Sequence, residues 1–448
     1  MRAVPLAVLL LAPAAALGAQ DTRTVTEPVV PPACATLDAR LVPVGDSTLA
    51  ESDERARDDA RIQRAIDDCA PGRAVVLRAD GERRAFLAGP LRLRTGVTLV
   101  VDSGAVLFGS RDPRAYDVTP GACGVLADGP RGCRPLILVD RAHHAGVMGP
   151  GTIDGRGWAT ILGQDESWWD LAQRARTGPS QQNPRLIQTT RADDFTLYRV
   201  ALRNAAQFHV VFDRGDGFTA WGVVIHTPHP RARNTDGIDP ASARNVTITR
   251  SSILTGDDNV AIKGGSGGAT RHVTVSHSRF YRGHGMSIGS ETDGGVSDVL
   301  VTDLTVDGAD NGLRIKSNAS RGGLVERVRY EDVCIRATKA PLVFETHYTA
   351  SPETTGVKVP VYRDVVLRDV RILGGGRVSF DGFDATRRLG LRLENVTADD
   401  PARLKLVAAR HADVVVGPGA MNLPLAGEDV RVTRADAAPA ADAGRAAA

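Results

Sequence analysis

Short apolar stretches that end in a small or polar residue recur along the middle of the chain at a nearly constant interval. NVAIKG begins at 259, GMSIGS at 285, GLRIKS at 312 and PLVFET at 341, so the steps are 26 (285 − 259), 27 (312 − 285) and 29 (341 − 312) residues. A second series keeps pace with the first: NVTITRSSI from 245, HVTVSHSRF from 272 and VSDVLVTDLTV from 296. Further rounds follow in YRDVVLRDVRI (362–372) and RLGLRLENV (388–396). Each alternates apolar and polar residues with period two, the pattern of a half-buried strand. A repeat of about 26 residues with two or three strands and no helical pattern means a solenoid. The leucine spacing of leucine-rich repeats is absent, and the interval is too short for a propeller blade. What remains is an all-β, single-stranded parallel β-helix. Each coil stacks on the last, and the inward residues form one apolar column. The amphipathic segment ESDERARDDARIQRAIDDC (51–69) is expected to cap its N-terminal end and hide the open strand edges.

Composition agrees. Aromatic residues are 4% of the 448, and glycine numbers 47, which suits short strands joined by many turns. A net charge of +2 supplies no global field towards nucleic acid or membranes. The opening MRAVPLAVLLLAPAAALGAQ reads as an export signal cut near Ala19. The expected organisation is a signal peptide (1–19), a flexible lead-in (20–33), the β-helix catalytic domain (34–425) and a low-complexity, disordered tail (426–448). No later apolar run is long enough to span a bilayer, so the expectation is a secreted or periplasmic monomer. Five cysteines fit an oxidising compartment. Cys123 and Cys133 flank a Gly/Pro-rich loop and can close it. Cys34 with Cys69 is the next pair, and Cys334, in VCIRA, is expected as a buried thiol.

Winding places residues some 26 positions apart on adjacent strands, about 4.7–4.9 Å from one another. In register, NTDGID offers Asp236, TGDDNVAIK offers Asp257, Asp258 and Lys263, RGHGMSIGS offers His284, and NGLRIKS offers Arg314 and Lys316. Alternation buries Ile315 and sends Arg314 and Lys316 outward. Strict alternation would turn Asp258 inward, but Gly256 and the break before the strand favour a bend that turns both aspartates out. Asp-Gly pairs, a histidine between glycines or two cations on a strand are each ordinary alone. Their convergence on consecutive coils points to a site. The chain has 55 basic residues, of which the lysines are 263, 316, 339, 358 and 405. A lysine kept in so arginine-rich a chain suggests a specific point-charge contact.

NTDG, GDD, GHG and RIK, in this order, resemble the four signatures of glycoside hydrolase family 28, the polygalacturonases. RAIDDC, GAVLFGS, GTIDGRG, ESWWD and GMSIGSET are similar to further family segments, so the resemblance spans roughly residues 40–400. It implies a right-handed parallel β-helix that hydrolyses α-1,4 bonds of polygalacturonate or pectin with inversion, endo or exo, without cofactor or metal. By motif, Asp257 is the implied general acid. Asp236 and Asp258 activate the water, and His284 supports the acid. Arg314 and Lys316 bind a substrate carboxylate, with Asn234 and Tyr348 also on the substrate. Two departures stand out: Asn259 where the family often has Cys, and RNAAQFHV in place of an Asn-Ser-Pro-x-Trp pattern.

The residue types suit that chemistry. Glycoside hydrolysis needs a proton for the leaving oxygen and a carboxylate to activate water, about 6.5–9.5 Å apart in inverting enzymes. Three close carboxyls cannot all ionise cheaply, so one should stay protonated and act as the acid. Arg314 and Lys316 favour an anionic sugar over a neutral one. Lys263 is either a second carboxylate binder or a neutralising partner for the aspartates. Trp168 and Trp169 either stack on sugars or pack a loop against the coil. GGSGGA (264–269) reads as a turn at the cleft edge, and segments 111–135 and 158–182 as loops that could close one end of the cleft. The alternatives are a rhamnogalacturonan or xylogalacturonan hydrolase, a calcium-dependent pectate lyase, and a non-catalytic glycan-binding β-helix.

Overall fold

The computed structural model describes residues 20–45, 47–349 and 354–435. The expected signal peptide and the end of the expected tail lie outside them. Thirty strands pair in parallel through one continuous winding stack, a right-handed parallel β-helix with three faces. On the face that matters most, the strands Ile187–Thr190, Val210–Asp213, Ile238–Ala241, Val260–Ile262, Met286–Gly289, Asn311–Lys316 and Ala340–Glu345 follow one another. Val260 pairs with Met286, Met286 with Leu313 and Leu313 with Leu342. Those steps of 26 (286 − 260), 27 (313 − 286) and 29 (342 − 313) are the intervals of the sequence repeat.

The interior is a ladder of like on like. Ile262, Ile288, Ile315 and Phe344 stack in register and are fully buried. The same alternation that buries them forces their neighbours onto the outer surface. The two remaining faces change character along the axis. Arg244–Thr249 and Ser252–Thr255 are separate strands, but on the next coil the 13-residue strand Thr270–Arg282 pairs with both. Val296–Asp307, Leu324–Arg336 and Val361–Leu373 repeat that continuous span.

The helix Asp59–Asp67 caps the first coils and buries Ile62 and Ile66. The Cys34–Cys69 disulfide ties the first strand to the end of this cap. Cys123 and Cys133 form a second bridge. Cys334 is free and partly exposed, not buried as expected. Val333 and Ile335 take the inward positions of that strand, so alternation puts Cys334 on the outer side.

Residues 20–33, read from the sequence as a flexible lead-in, lie against the outside of the coils. The Asp21 amide donates to Thr274 Oγ1 at 2.9 Å, and Asp21 Oδ2 accepts from Thr247 Oγ1 at 2.7 Å. Glu27 accepts from the Tyr198 hydroxyl at 2.7 Å. At the other end, Glu428–Arg434 is a strand paired with Leu404–Val416, inside the stretch read as tail. Among the described residues no helix is long and apolar enough to cross a membrane.

Candidate active site

All nine residues nominated from the sequence line one open cleft of about 570 Å³. The winding explains how. Val210, Ile238, Val260 and Met286 occupy one register position on four successive coils. Two residues before each stand Phe208, Asp236, Asp258 and His284, which therefore form a column along the cleft floor. Gly283 and Gly285 are required on either side of His284. They adopt φ of 64° and 78°, and a Cβ would fall 2.4 Å from the Asp257 carbonyl oxygen and 2.1 Å from that of Asn311.

The two adjacent aspartates have different partners. Asp258 is buried, accepts from Ser287 Oγ at 2.7 Å and pairs with Lys316 Nζ at 2.7 Å. Arg314 Nη1 stands 4.0 Å from the same carboxylate and Nη2 3.5 Å from Glu345. Asp257 instead meets His284, whose Nδ1 lies 3.0 Å from Oδ1. Asp257 also accepts from the Asn234 amide at 3.2 Å and the Asp258 amide at 2.9 Å. Tyr348 lies over both cations, its ring centroid 5.3 Å from the Arg314 guanidinium carbon and 5.5 Å from Lys316 Nζ.

One carboxyl was expected to be pushed up by burial and its neighbours, and Asp257 to be that group. Among the nominated aspartates the group that burial raises is Asp236, whose shift is driven by desolvation first and then by the charges of Asp239 and Asp257. Asp236 Oδ1 is buried with no hydrogen-bond partner. Asp257 is held below the usual carboxylate range. Desolvation pushes it up, but the His284 hydrogen bond and charge, with Lys316, more than offset that push. His284 is raised in turn. Its desolvation is outweighed by the bond to Asp257 and the charges of Asp257 and Asp258. The Asp257–His284 pair thus holds its proton on the ring.

Lys263 is a neutralising partner. Its Nζ lies 2.7 Å from Asp239 and 3.5 Å from Asp236. Desolvation would lower it, but the charges of Asp239 and Asp236 raise it well above the ordinary lysine value. Asp239 was not singled out from the sequence, although it stands in NTDGID. Burial brings it up to about 6 against the opposing pull of Lys263. Ala241 pairs with Lys263 across the coil, a contact that only the register reveals. Phe208 and Ser287 were also missed.

Asn259, the departure from the usual cysteine, is a buried bracket. Its Nδ2 donates to the carbonyls of Ile253 (2.9 Å) and Tyr281 (3.3 Å), and its Oδ1 accepts from the Gly285 amide at 2.9 Å. Trp168 and Trp169 are buried, and the Trp169 indole donates to the Ala205 carbonyl at 2.9 Å. They pack a loop against the coil and present no face to a sugar. The two candidate end loops lie together, with Ala127 N donating to Ser180 O at 2.9 Å. The second loop reaches the cleft through Gln181 Nε2, 2.9 Å from Asn234 Oδ1.

Asp257, Asp258 and His284 offer ligand atoms within 4.8 Å of one another, which makes them the cluster best placed for a cation. Their lone pairs are engaged by one another, by Ser287 and by the Lys316 ammonium. Asp257 and Asp258 are sequence neighbours on one coil, and their oxygens come closer than the ~6.5–9.5 Å between carboxyls of a typical inverting pair.

Three comparisons place this geometry. Residues 118–402 match the model of glycosyl hydrolases family 28. An endo-polygalacturonase of Pectobacterium carotovorum subsp. carotovorum is 42% identical over 88% of this chain and 94% of its own. A polygalacturonase of Ralstonia nicotianae is 40% identical over 88% and 84%. Among solved structures, the polygalacturonase from Erwinia carotovora ssp. carotovora superposes with a TM-score of 0.75 at 38% identity, covering 92% of this chain and 96% of that one. A Yersinia enterocolitica family 28 exopolygalacturonase shares the fold at a TM-score of 0.67 and 21% identity, over 91% and 79%. With the signature residues gathered on one wall of the helix and the match running through all of them, the chain belongs to family 28 of the glycosyl hydrolases and is a glycoside hydrolase.

Proposed function

We propose that this hydrolase cleaves the α-1,4 bonds of polygalacturonate within the polymer and with inversion, as an exported enzyme. One observation carries the reading. Three carboxyls share a single cleft with Arg314, Lys316 and Tyr348, and one of them, Asp258, stands directly against both cations. The carboxyls supply acid and base chemistry, and the cations select a sugar that carries its own carboxylate. The names of the relatives at 42% and 43% identity, both endo-polygalacturonases, support cutting inside the chain.

Asp257 gives its proton to the leaving glycosidic oxygen as the bond from that oxygen to the anomeric carbon breaks. His284, 3.0 Å away, supplies that proton. A water attacks the opposite face of the anomeric carbon. Its proton goes to Asp258, whose charge Lys316 pairs at 2.7 Å. Asp236, pushed towards its protonated form by burial and its acidic neighbours, orients the water by hydrogen bonding. Arg314 and Lys316, with the Tyr348 ring above them, hold the carboxylate of the sugar on the leaving-group side.

The test is polygalacturonate digestion with excess chelator. New reducing ends without ultraviolet-absorbing unsaturated ends are expected, with longer oligomers among the first products. Unsaturated ends would mean elimination and overturn the hydrolytic reading. Monomer or dimer alone in the first minutes would overturn the internal cut.

A further inference from the structure

The column that carries Asp236 does not stop at Phe208. Ile187 pairs with Val210, and Val210 with Ile238, so Arg185, Phe208 and Asp236 occupy one level on three successive coils. Arg185 lies two strand spacings, about 9–10 Å, from Asp236, on the side away from Arg314 and Lys316. Its guanidinium carbon lies 4.9 Å from the Phe208 ring centroid, and Lys263 Nζ lies 4.5 Å from the same ring. Phe208 therefore connects this position to the catalytic cleft, which it also lines.

A second arginine arrives from a different element. Arg131 belongs to the loop closed by Cys123 and Cys133, and its Nη1 donates to Gln207 Oε1 at 3.1 Å. Arg185 Nη1 donates to Gln188 Oε1 at 3.1 Å. Both partners are neutral amides. Among the described residues, neither guanidinium forms an ion pair, and Arg185 Nε is buried with no hydrogen-bond partner. Elsewhere buried arginine is matched, as where Arg156 meets Glu54 at 2.7 Å. Burial, and then the nearby charge of Arg131, bring Arg185 down to about 9, and burial lowers Arg131 as well. The charges of Asp239, Asp236 and Asp213 pull Arg185 the other way, but none of them pairs with it directly. Two crowded guanidiniums without a direct partner favour an anion that joins them.

We propose that Arg185 and Arg131 form a carboxylate-binding subsite for a galacturonate unit on the far side of the cleavage point from Arg314 and Lys316. This inference rests on the polygalacturonate reading above and extends it. The planar guanidinium fork suits a sugar carboxylate, and the Phe208 ring beside it offers an apolar surface to the sugar between the two charges. The disulfide-closed loop becomes part of the substrate-binding surface, because it delivers Arg131.

The experiment compares the wild-type enzyme with Arg131→Gln and Arg185→Gln on oligogalacturonides of graded length. In the wild type, kcat/KM should climb once the oligomer is long enough to reach the pair. Each variant should lose about tenfold on long substrates relative to the shortest one cleaved, chiefly through KM, and so flatten the climb. Losses equal at every length, or a climb identical to the wild type, would overturn the subsite while leaving the hydrolytic reading intact. Wild-type inactivity on every polygalacturonate length would overturn both. Should Arg185→Gln fail to fold, as judged by its melting transition, Arg131→Gln decides alone, since that side chain is partly exposed on a loop.

Discussion

His284 Nδ1 and Asp257 Oδ1 share a 3.0 Å contact that holds the aspartate low and the histidine high. The sign of the pH dependence follows. The ring is raised above 6.5, so the pair keeps its proton below that raised value and loses it as pH rises through it. Activity should be present below it and fall on the alkaline side. His284→Asn removes the proton store and leaves a lone carboxyl, so the alkaline limb of kcat/KM should move to lower pH, with kcat down by about 10²-fold. An unchanged limb would show that His284 does not hold the catalytic proton.

Asp236 and Asp258 face the same water in opposite protonation states in this scheme. Asp236→Asn preserves a neutral, hydrogen-bonding group and should cost roughly tenfold in kcat. Asp258→Asn removes the proton acceptor and should cost about 10³-fold, within the usual range for a general base. Steady-state rates on polygalacturonate decide, and equal losses would mean that Asp236 acts as an ionised base.

Lys316 and Asp258 form a buried ion pair at 2.7 Å, with side chains 7% and 3% exposed. Removing one partner strands the other charge. Lys316→Met should therefore destabilise the fold by about 3–5 kcal/mol, read from urea denaturation. Adding Asp258→Asn should recover most of that loss while leaving the enzyme inactive. A double variant no more stable than the single one would place the effect elsewhere.

Asn259 serves two carbonyls and one amide with no exposed surface. Asn259→Ala leaves those backbone groups unpaired and should cost about 2–4 kcal/mol. It should also lower kcat, because the amide it holds belongs to Gly285, next to His284. A variant with native melting behaviour and full activity would show that this bracket is dispensable.

The legible part of the site is the part that follows from the repeat. A constant step between NVAIKG, GMSIGS and GLRIKS was enough to bring Asp257, Asp258, His284, Arg314 and Lys316 together, since strand stacking turns interval into distance. Where the step changes, the sequence falls silent. Ile187, Val210, Ile238 and Val260 are separated by 23 (210 − 187), 28 (238 − 210) and 22 (260 − 238) residues. No fixed period would have aligned Arg185 and Phe208 with Asp236. Asp239 was hidden for another reason: its importance lies in a lysine one coil away. The proton placement was not legible: the resemblance put His284 in support of the acid, but only the 3.0 Å contact between the two holds Asp257 low and the ring high.

The strands that run unbroken through two faces, from Thr270–Arg282 onward, give the catalytic wall an uneven mechanical backing. Behind the acid and base, the protein is a double-width girder whose long strands each pair with a neighbour on both sides. In front of them, it is a rim of loops attached to short strands. Evolution can lengthen, trim or swap that rim without softening the mount on which the reacting groups sit, so changes of preferred polymer or cutting mode need not disturb the alignment of the chemistry.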